Sequence, residues 1–392
     1  MPTRVLFCRS NPISPDPRVE KHAQALSEVG YHVFAVAWDR TGQLLASEKI
    51  GDIHCFRLPI QAKYAHGMRN IFGLLRWQWG LLIWLFRQRS QYDAIHACDF
   101  DTILPALFCK YCYRKKVIYD VFDFYADHLR ATPQFIKNII RRIDLKVMSK
   151  VDALILADDS RKEQVSGVKP NRVEVIYNTP QDTFNLVRSN KGPGESRSFT
   201  ITYVGLMQVE RGLVQLLEIL GRHPDWGLSL AGFGGDIDLI LSRAESYPNV
   251  TWYGRVPYDL ALKLNNRADV LIATYDPAIP NHRFSSPNKV FEAMMLAKPI
   301  IVARHTNMDR IIESAGCGLV VDYGDVPGLE KALVELAQDV NLRERLGRNA
   351  RQAYETSFSW NEMKARLIRL YREVVGPPEP VMAGDHQAVS GS

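Results

Sequence analysis

A lysine and a glutamate lie three residues apart in the stretch RFSSPNKVFEAMMLAKPIIVA, residues 283–303. Proline suits the first position of a helix and serine is a good N-cap, so the stretch predicts a helix from Pro287 to about Ala297. The start of a helix carries unpaired N–H groups and partial positive charge, which favours a phosphate site at residues 286–289. Glu292, one turn further along, could accept two hydrogen bonds from a ribose diol.

An ordinary amphipathic helix is the alternative interpretation of this stretch. Val290, Phe291 and Met294 would form its buried side. Lys289 and Glu292 would lie together on the opposite side, in solvent. The residue types alone leave both interpretations open.

The order of residues in this stretch also has a family likeness. S-P-N-K-x-x-E-A-M, followed by x-A-K-P-I-I-V, resembles the donor-site helix of the retaining glycosyltransferases of family 4, which have the GT-B fold. The resemblance implies that Glu292 holds a nucleotide ribose. It also implies that the donor is bound by the residues at the helix start, Ser285, Ser286, Pro287 and Asn288. An earlier glutamate of the family pattern would fall on Phe284 and is absent here.

Length and composition indicate an ordinary globular protein of two domains. The chain has 392 residues, of which 46% are hydrophobic and 23% charged, and domains usually have about 100–200 residues. A net charge of +6 is too small to indicate a nucleic-acid partner, but it suits an anionic donor or an anionic membrane surface. The first ten residues predict a strand rather than a signal peptide, so we expect a cytoplasmic protein with reduced cysteines. The C-x-x-C of Cys109 and Cys112 lacks a second ligand pair, and we expect no metal site.

Strands and helices alternate along residues 1–181, which predicts a doubly wound parallel sheet. Strands are expected at 5–8, 31–37, 92–96, 116–120, 153–157 and 173–177, with helices at 17–29 and 101–113. The first turn, RSNPISPDP, lacks the G-x-G-x-x-G that brings a backbone close to a dinucleotide. A nicotinamide enzyme is therefore disfavoured.

Polar residues follow two of these strands, and ligands bind at the carboxyl ends of strands in such sheets. Carboxylates here are candidates to hold an acceptor hydroxyl, with helix capping as the alternative. Asp99 and Asp120 are placed on the acceptor side. The two clusters are His96, Asp99 and Asp101, and Asp120, Asp123 and Asp127.

Two further stretches of the first half resemble family 4. I-Y-D-V-F-D is similar to a tract in which a histidine lies near the donor sugar, and Phe122 stands in the place of that histidine. Asp123 or His96 is then the residue expected to orient the acceptor. S-x-D-P-R-V resembles the opening loop of some members, which implies that Arg18 faces the cleft; a lone surface arginine is the alternative.

Residues 68–89 are rich in tryptophan, with Trp77, Trp79 and Trp84. Arg76 and Arg87 bound an uncharged run that is too short to span a bilayer. Two alternatives stay open, a buried helix and a helix in the membrane interface, where tryptophans and flanking arginines are favoured. In the second case the protein would be peripheral on the inner face of the membrane, and a lipid-linked glycan would be the expected acceptor.

The second half repeats the alternation after a polar stretch, residues 182–198, that is typical of a linker. Strands are expected at 199–204, 228–231, 250–253, 270–273 and 300–302. They predict a second parallel-sheet domain over 199–356. A last helix is expected over 357–376, followed by a loose tail at 377–392.

Turns of this half extend the resemblance. G-L-M-Q-V-E-R-G is similar to the family signature G-R-L-x-x-x-K-G; Gly205, Arg211 and Gly212 match it, and Leu206 stands where the arginine would be. The donor phosphates would then be neutralised by Arg211, Lys289 and the helix start. Two further turns match the family. Gly232 to Gly235 matches its A-G-x-G turn, with Gly232 expected on the donor side, and Gly254, Arg255 and Val256 belong to the turn whose backbone meets the base.

Together the resemblance implies an α/β protein of the GT-B fold, with two Rossmann-like doubly wound domains facing a central cleft and a terminal helix that crosses back to the first domain. It implies a retaining transfer, without metal or other cofactor, of a sugar from a UDP- or GDP-linked donor on the second domain to a glycan or lipid-linked glycan on the first. Arg211, Lys289, Asp123 and His96 are the catalytic candidates. A nucleotide-sugar epimerase of the same fold and a catalytically silent scaffold subunit are the alternatives.

Overall fold

The computed structural model describes residues 3–62, 71–129, 132–188 and 198–378. The chain divides into two compact units, one formed by residues 1–176 and 364–392 and the other by residues 177–363. Parts of two predicted segments, 189–197 of the linker and 379–392 of the tail, lie outside the described residues, as do residues 68–70 of the tryptophan-rich stretch.

The first unit is built on an eight-stranded sheet in the order β3-β4-β2-β1-β5-β6-β7-β8. Its strands are β1 (Arg4–Arg9), β2 (His32–Asp39), β3 (Ser47–Ile50), β4 (Ile53–Pro59), β5 (Ala94–Cys98), β6 (Lys116–Val121), β7 (Ala153–Leu156) and β8 (Val173–Val175). All neighbouring pairs are parallel except β3 with β4. The central strands are buried along nearly their whole length, as expected for a sheet covered by helices on both faces.

The helices that connect these strands in the described ranges are α1 (Pro17–Glu28), α2 (Ile71–Arg87), α3 (Phe100–Tyr113), α4 (Tyr125–His128), α5 (Gln134–Met148) and α6 (Arg161–Gln164). Asp16 caps α1 by accepting a hydrogen bond from the backbone N–H of Val19, 3.3 Å away. Val19, Ala23 and Leu26 form its buried side, as the spacing predicts. Strands β3 and β4 and helix α5 were not predicted from the sequence.

The second unit holds an all-parallel six-stranded sheet in the order β11-β10-β9-β12-β13-β14. Its strands are β9 (Thr200–Leu206), β10 (Gly227–Phe233), β11 (Val250–Trp252), β12 (Val270–Ala273), β13 (Ile300–Ala303) and β14 (Gly318–Val321). Its helices are α7 (Phe184–Arg188), α8 (Leu213–Arg222), α9 (Ile237–Ala244), α10 (Tyr258–Arg267), α11 (Asn288–Met295), α12 (Met308–Ala315), α13 (Val326–Gln338) and α14 (Val340–Ala353). Helix α7 lies inside the stretch predicted as a linker.

The last helix, α15 (Trp360–Val374), begins in the second unit and belongs to the first from Lys364 onward. Tyr371 on this helix is fully buried, and its hydroxyl lies 2.7 Å from Nδ1 of His96. The hydroxyl of Tyr31 donates to the backbone carbonyl of Gly376, just beyond the helix, over 2.6 Å. These contacts tie the end of the chain to the sheet of the first unit.

Within the described ranges, no helix combines the length and the apolarity that crossing a bilayer requires. All six cysteines are unpaired thiols, and Cys112 is exposed while Cys109 is buried.

Candidate functional site

The strand order of the second unit places a crevice at the carboxyl ends of β9 and β12. From β9 the chain runs outward through β10 and β11, and then returns to the other side of β9 with β12. In open parallel sheets this reversal point is where ligands bind. Three predicted residues of the family signature lie here, Gly205 at the end of β9 and Arg211 and Gly212 in the turn before α8.

Glycine is required at this edge because the backbones approach too closely for a side chain. A Cβ atom on Gly232 would lie 1.8 Å from the carbonyl oxygen of Gly205, and the φ of Gly232 is +148°. A Cβ atom on Gly212, whose φ is +73°, would lie 2.3 Å from Oγ1 of Thr274. The glycines thus let the turns after β9, β10 and β12 pack against one another.

Helix α11 differs from its prediction at both ends. It begins at Asn288 rather than Pro287, which has extended backbone and is the N-cap. Ser286 makes no capping hydrogen bond, and its buried hydroxyl has no partner among the described residues. The helix ends at Met295, and Ala297 follows in the left-handed conformation, with φ +54°.

Lys289 is held inside the protein rather than in solvent, so an ordinary surface helix is the wrong interpretation of α11. The side chain is 8% exposed, and every residue of α11 after Asn288 is buried. Its ammonium Nζ lies 3.4 Å from the ring centre of Tyr203 and 5.7 Å from that of Tyr275. Nζ has no hydrogen-bond partner within the described part of the chain.

Arg211 brings a second positive charge to the same place. Its guanidinium stacks over the ring of Tyr275, 3.9 Å from the ring centre, and its Nε has no partner among the residues described. Burial lowers the pKa of Lys289 well below its usual value, and the charge of Arg211 lowers it further, while Glu292 opposes both. Both cations pack on aromatic rings, and no carboxylate of the described ranges is hydrogen-bonded to Lys289. An anion would therefore complete this site.

Glu292 lies one turn along α11 and is 7% exposed. Its Oε2 accepts a hydrogen bond from the side-chain amide of Asn265 over 3.1 Å. Burial raises the pKa of Tyr258, and the nearby Glu292 carboxylate raises it further. The carboxylate is therefore fixed in position by neighbouring polar groups. Whether it meets a ribose remains a prediction.

The remaining donor-side predictions fall at the same edge of the sheet. The carbonyl of Gly254, which follows β11, accepts from the N–H of Gly232 over 2.9 Å. Arg255 is exposed, with its guanidinium 4.6 Å from the ring centre of the exposed Phe233, and Val256 is half-buried. Ser285 lies in the turn before α11, where its N–H donates to the carbonyl of His282 over 3.2 Å.

In the first unit, three predicted residues form an internal network that has no access to a substrate. Arg18 donates to both carboxylate oxygens of Asp120, over 2.8 and 3.1 Å, and Nε2 of His96 lies 3.3 Å from Oδ2. All three side chains are at most 3% exposed. The predictions that Arg18 faces a cleft and that His96 and Asp120 contact an acceptor are therefore wrong, because these groups are consumed in core contacts.

The same network includes His22, whose Nδ1 lies 3.4 Å from Oδ2 of Asp120. Burial raises the pKa of Asp120, but Arg18 and the two histidines outweigh burial and hold that pKa well below its usual range. Burial, aided by Arg18, lowers the pKa of His22 to about 3, and burial also lowers that of His96. The ligand atoms of the two histidines and Asp120 lie within 4.8 Å of one another. Arg18 donates to both oxygens of Asp120, so the cluster is a buried ion pair with two histidines packed against the carboxylate.

Other polar groups of the first unit lie at its own reversal point, the carboxyl ends of β1 and β5. Asp99 accepts from Arg9 and, over 2.9 Å, from the N–H of Phe122. Burial raises the pKa of Asp99 to about 6, although Arg9 opposes the shift. Asp101 is 6% exposed, and its Oδ1 has no partner among the described residues. Asp123, the other carboxylate predicted here, is partly exposed and accepts from Nη2 of Arg161 over 2.5 Å.

Sequence reasoning missed three residues of these sites. Tyr203 and Tyr275 seat the two cations of the second unit, and Arg9 pairs with Asp99 in the first unit. The available signal was position. Arg9 is the last residue of β1 and Tyr275 lies two residues after β12, whereas Tyr203 lies in the middle of β9 and gave no such signal.

Comparison with known proteins is consistent with this geometry. Residues 188–353 match the sequence family described as glycosyl transferases group 1. Glycogen synthase of Mycobacterium tuberculosis (strain H37Rv) is 22% identical over 293 residues, covering 71% of this chain and 68% of that protein. Among solved structures, sucrose-phosphate synthase from Thermosynechococcus elongatus superposes with a TM-score of 0.78 at 14% identity, covering 95% of this chain and 99% of the other.

Anabaena HepE in complex with UDP and glucose superposes with a TM-score of 0.70 at 14% identity, covering 94% of this chain and 98% of that one. At 14% identity the structural likeness shows the fold alone. The sequence matches indicate which class of protein the chain resembles. The chain therefore has the GT-B fold, and its likeness to group 1 glycosyl transferases supports a glycosyltransferase.

Proposed function

We propose that this protein is a retaining glycosyltransferase that moves a sugar from a nucleoside-diphosphate sugar to a hydroxyl of a glycan or a lipid-linked glycan. The observation that carries the proposal is the buried ammonium of Lys289, which finds no hydrogen-bond acceptor among the residues that the structure describes and lies beside Arg211. A diphosphate supplies the negative charge that these two groups lack.

The reaction requires a diphosphate to leave the anomeric carbon of the sugar. Lys289, Arg211 and the start of α11 would stabilise the negative charge that develops on the leaving oxygen. The bond from the anomeric carbon to that oxygen breaks, and a bond to the acceptor oxygen forms on the same face. The acceptor proton passes to a phosphate oxygen of the leaving group, so the chain's own carboxylates need not form a covalent intermediate.

Glu292 is proposed to accept hydrogen bonds from the ribose hydroxyls. Its position one turn beyond Lys289 suits a ligand whose phosphates lie at the start of α11, and Asn265 holds it in place. HepE, which shares the fold, was crystallised with UDP. We therefore propose a uridine donor first and a guanosine donor second.

The acceptor is proposed to bind the first unit near Asp99 and Asp123. Asp99 lies at the reversal point of that sheet, and Asp123 is partly exposed. The neighbouring Asp101 keeps one buried carboxylate oxygen without a partner among the described residues, which an acceptor hydroxyl would satisfy. We further propose that the protein works in the cytoplasm, at an anionic membrane surface.

Titration of UDP into the protein tests the donor site directly. Lys289→Met and Arg211→Met should each weaken UDP binding, whereas Lys263→Met, which changes an exposed lysine of α10, should not. Unchanged binding in both site variants would rule out this donor site. A panel of UDP- and GDP-sugars, each assayed with and without membrane extract as the source of acceptor, separates the alternatives. Turnover of the donor when no extract is present would indicate an epimerase. Absence of any nucleotide binding would indicate a silent subunit.

A further inference from the structure

Helices α2, α3 and α5 of the first unit expose large apolar side chains on their outer sides. The residues recur at three- and four-residue intervals, so each set forms a stripe along its helix. We call the combined surface the three-helix face. Its apolar members are Phe72, Leu75, Trp79, Ile83 and Phe86 on α2, Leu104, Phe108 and Tyr111 on α3, and Phe135, Ile139 and Ile143 on α5.

The exposure of α2 is not the result of a loosely attached helix. On its inner side Trp77, Leu81 and Leu85 are completely buried. The Trp77 ring stacks on Trp38 with ring centres 5.1 Å apart, and its Nε1 donates to the backbone carbonyl of Asp101 over 2.9 Å. One side of α2 is thus fixed to the protein, while the other presents apolar side chains outward, with Trp79 64% exposed.

The apolar surface continues from one helix to the next. The ring of Phe86 on α2 lies 6.0 Å from that of Tyr113 at the end of α3, which in turn lies 6.2 Å from the ring of Phe108. Helix α3 also packs against α5. Monomeric proteins rarely expose apolar patches that extend over several elements unless the patch binds something.

The exposed charged residues of the three helices are all basic. Their acidic residues, Asp101 and Asp144, are 6% and 1% exposed. Lys110 and Arg141 pair with acidic residues of neighbouring segments. The other basic residues of these helices have no ion-pair partner among the residues described here: Arg76, Arg87, Lys137, Arg142 and Lys146.

We propose that the three-helix face binds the surface of an anionic bilayer. Its apolar side chains, which include an exposed tryptophan, match the acyl boundary of such a membrane. The unpaired basic residues at its border match the phosphate layer, and its three helices expose no carboxylate that would be repelled. We choose a bilayer rather than a protein partner because an anionic membrane carries charge of one sign over its whole surface, whereas charges of both signs are usually interspersed on a protein surface. The proposal deepens the function proposed above and rests on it for the acceptor, because the cluster around Asp99 lies at the start of α3 and a lipid-linked glycan would reach it from the membrane.

Flotation of the full-length protein with vesicles tests the proposal. Vesicles of phosphatidylcholine with 30% phosphatidylglycerol should bind the protein, pure phosphatidylcholine should bind it far less, and 0.5 M salt should weaken binding. A triple variant with one change on each helix, Trp79→Ser, Phe108→Ser and Ile139→Ser, should lose at least tenfold in partitioning. The matched control replaces three exposed apolar residues of the second unit by serine, Leu239, Leu260 and Val340, and should float as the wild type does.

Three outcomes would overturn the proposal: no flotation of the wild type, equal flotation of the triple variant, or dimerisation in solution that the triple variant abolishes while vesicles bind nothing. The last would assign the face to a second copy of the chain. UDP titration without vesicles reports on the donor site separately. A protein that binds UDP but not vesicles refutes only the membrane face, and one that binds vesicles but not UDP refutes only the donor site.

Discussion

Replacing Lys289 by methionine should weaken donor binding and at the same time stabilise the ligand-free protein. Methionine has a similar length and no charge, so it can fill the space between Tyr203 and Tyr275 without an ammonium to desolvate. The variant thus distinguishes a ligand-binding role of Lys289 from a structural one. If the role were structural, the substitution would lower the stability of the ligand-free protein instead of raising it.

The stability change follows from the environment of the ammonium. A buried charge without a hydrogen-bond partner costs several kcal/mol, and the contact with the Tyr203 ring returns about 2 kcal/mol when desolvated. A net gain of about 1–3 kcal/mol is expected for the variant. In a unit of this size each kcal/mol corresponds to roughly 2–4 °C in Tm.

The affinity change follows from the lost contact with phosphate. A hydrogen bond to a charged group contributes about 1.5–3 kcal/mol, so UDP should bind roughly 10- to 150-fold more weakly. Calorimetric titration measures the Kd, and thermal unfolding followed by circular dichroism measures Tm. Lys263→Met, the exposed control on α10, should change neither.

The pH dependence gives a second signature of the same residue. The pKa of Lys289 is lowered in the folded protein, so the unfolded chain binds the extra proton and folding stability rises with pH from the lowered pKa up to the ordinary value near 10.5. UDP affinity should fall over the same interval as the ammonium loses its proton. Both trends should be absent in Lys289→Met. A variant with lower Tm and unchanged UDP affinity would refute the reasoning.

Three further changes have outcomes set by the geometry. Glu292→Ala should weaken UDP binding about tenfold or more; 2′-deoxy-UDP should bind the wild type more weakly than UDP does, whereas the variant should bind the two nucleotides equally. Gly232→Ala places a Cβ 1.8 Å from a backbone carbonyl and should cost about 2–5 kcal/mol in chemical denaturation, whereas Gly235→Ala, with open space around it, should cost almost nothing. Arg18→Ala leaves the buried Asp120 carboxylate without its cation and should destabilise the protein by about 3–5 kcal/mol; equal stability of the variant would contradict the ion pair.

The alternation of strands and helices was enough to predict both sheets and most of their strands. Buried parallel strands are continuous apolar runs, and such runs are visible in a sequence. Strand β3 has only four residues at the edge of the first sheet, and its neighbour β4 alternates buried with more exposed residues, so neither strand is a continuous apolar run. Helix α5 was noted only for its basic residues, although its apolar residues recur at helical spacing; in the structure they are divided among buried, half-buried and exposed positions.

Because the ends of two strands were predicted one or two residues too early, residues of the core were predicted as residues of the site. The strand predicted at 92–96 lies at Ala94–Cys98, so His96 is in its middle and pairs in register with Ile118. Asp120 likewise pairs with Cys98 inside the sheet. Asp99, the first residue after the true end of the strand, does lie at the reversal point. Position relative to a strand end decides whether a polar side chain meets a ligand, and sequence patterns place such ends only to within a few residues.

The two buried clusters show why residue type alone cannot separate a structural charge from a functional one. Arg18 and Lys289 are both cations, both near the start of a helix, and both almost completely buried. Each of the three guanidinium nitrogens of Arg18 donates to an acceptor, either Asp120 or the Ile176 carbonyl, so its charge is already paired within the protein. Lys289 meets aromatic rings supplied by strands some 15 and 85 residues earlier in the chain, a juxtaposition that no local pattern encodes. That Nζ of Lys289 meets no acceptor among the described residues therefore follows from the fold, and this observation points to α11 as the functional site.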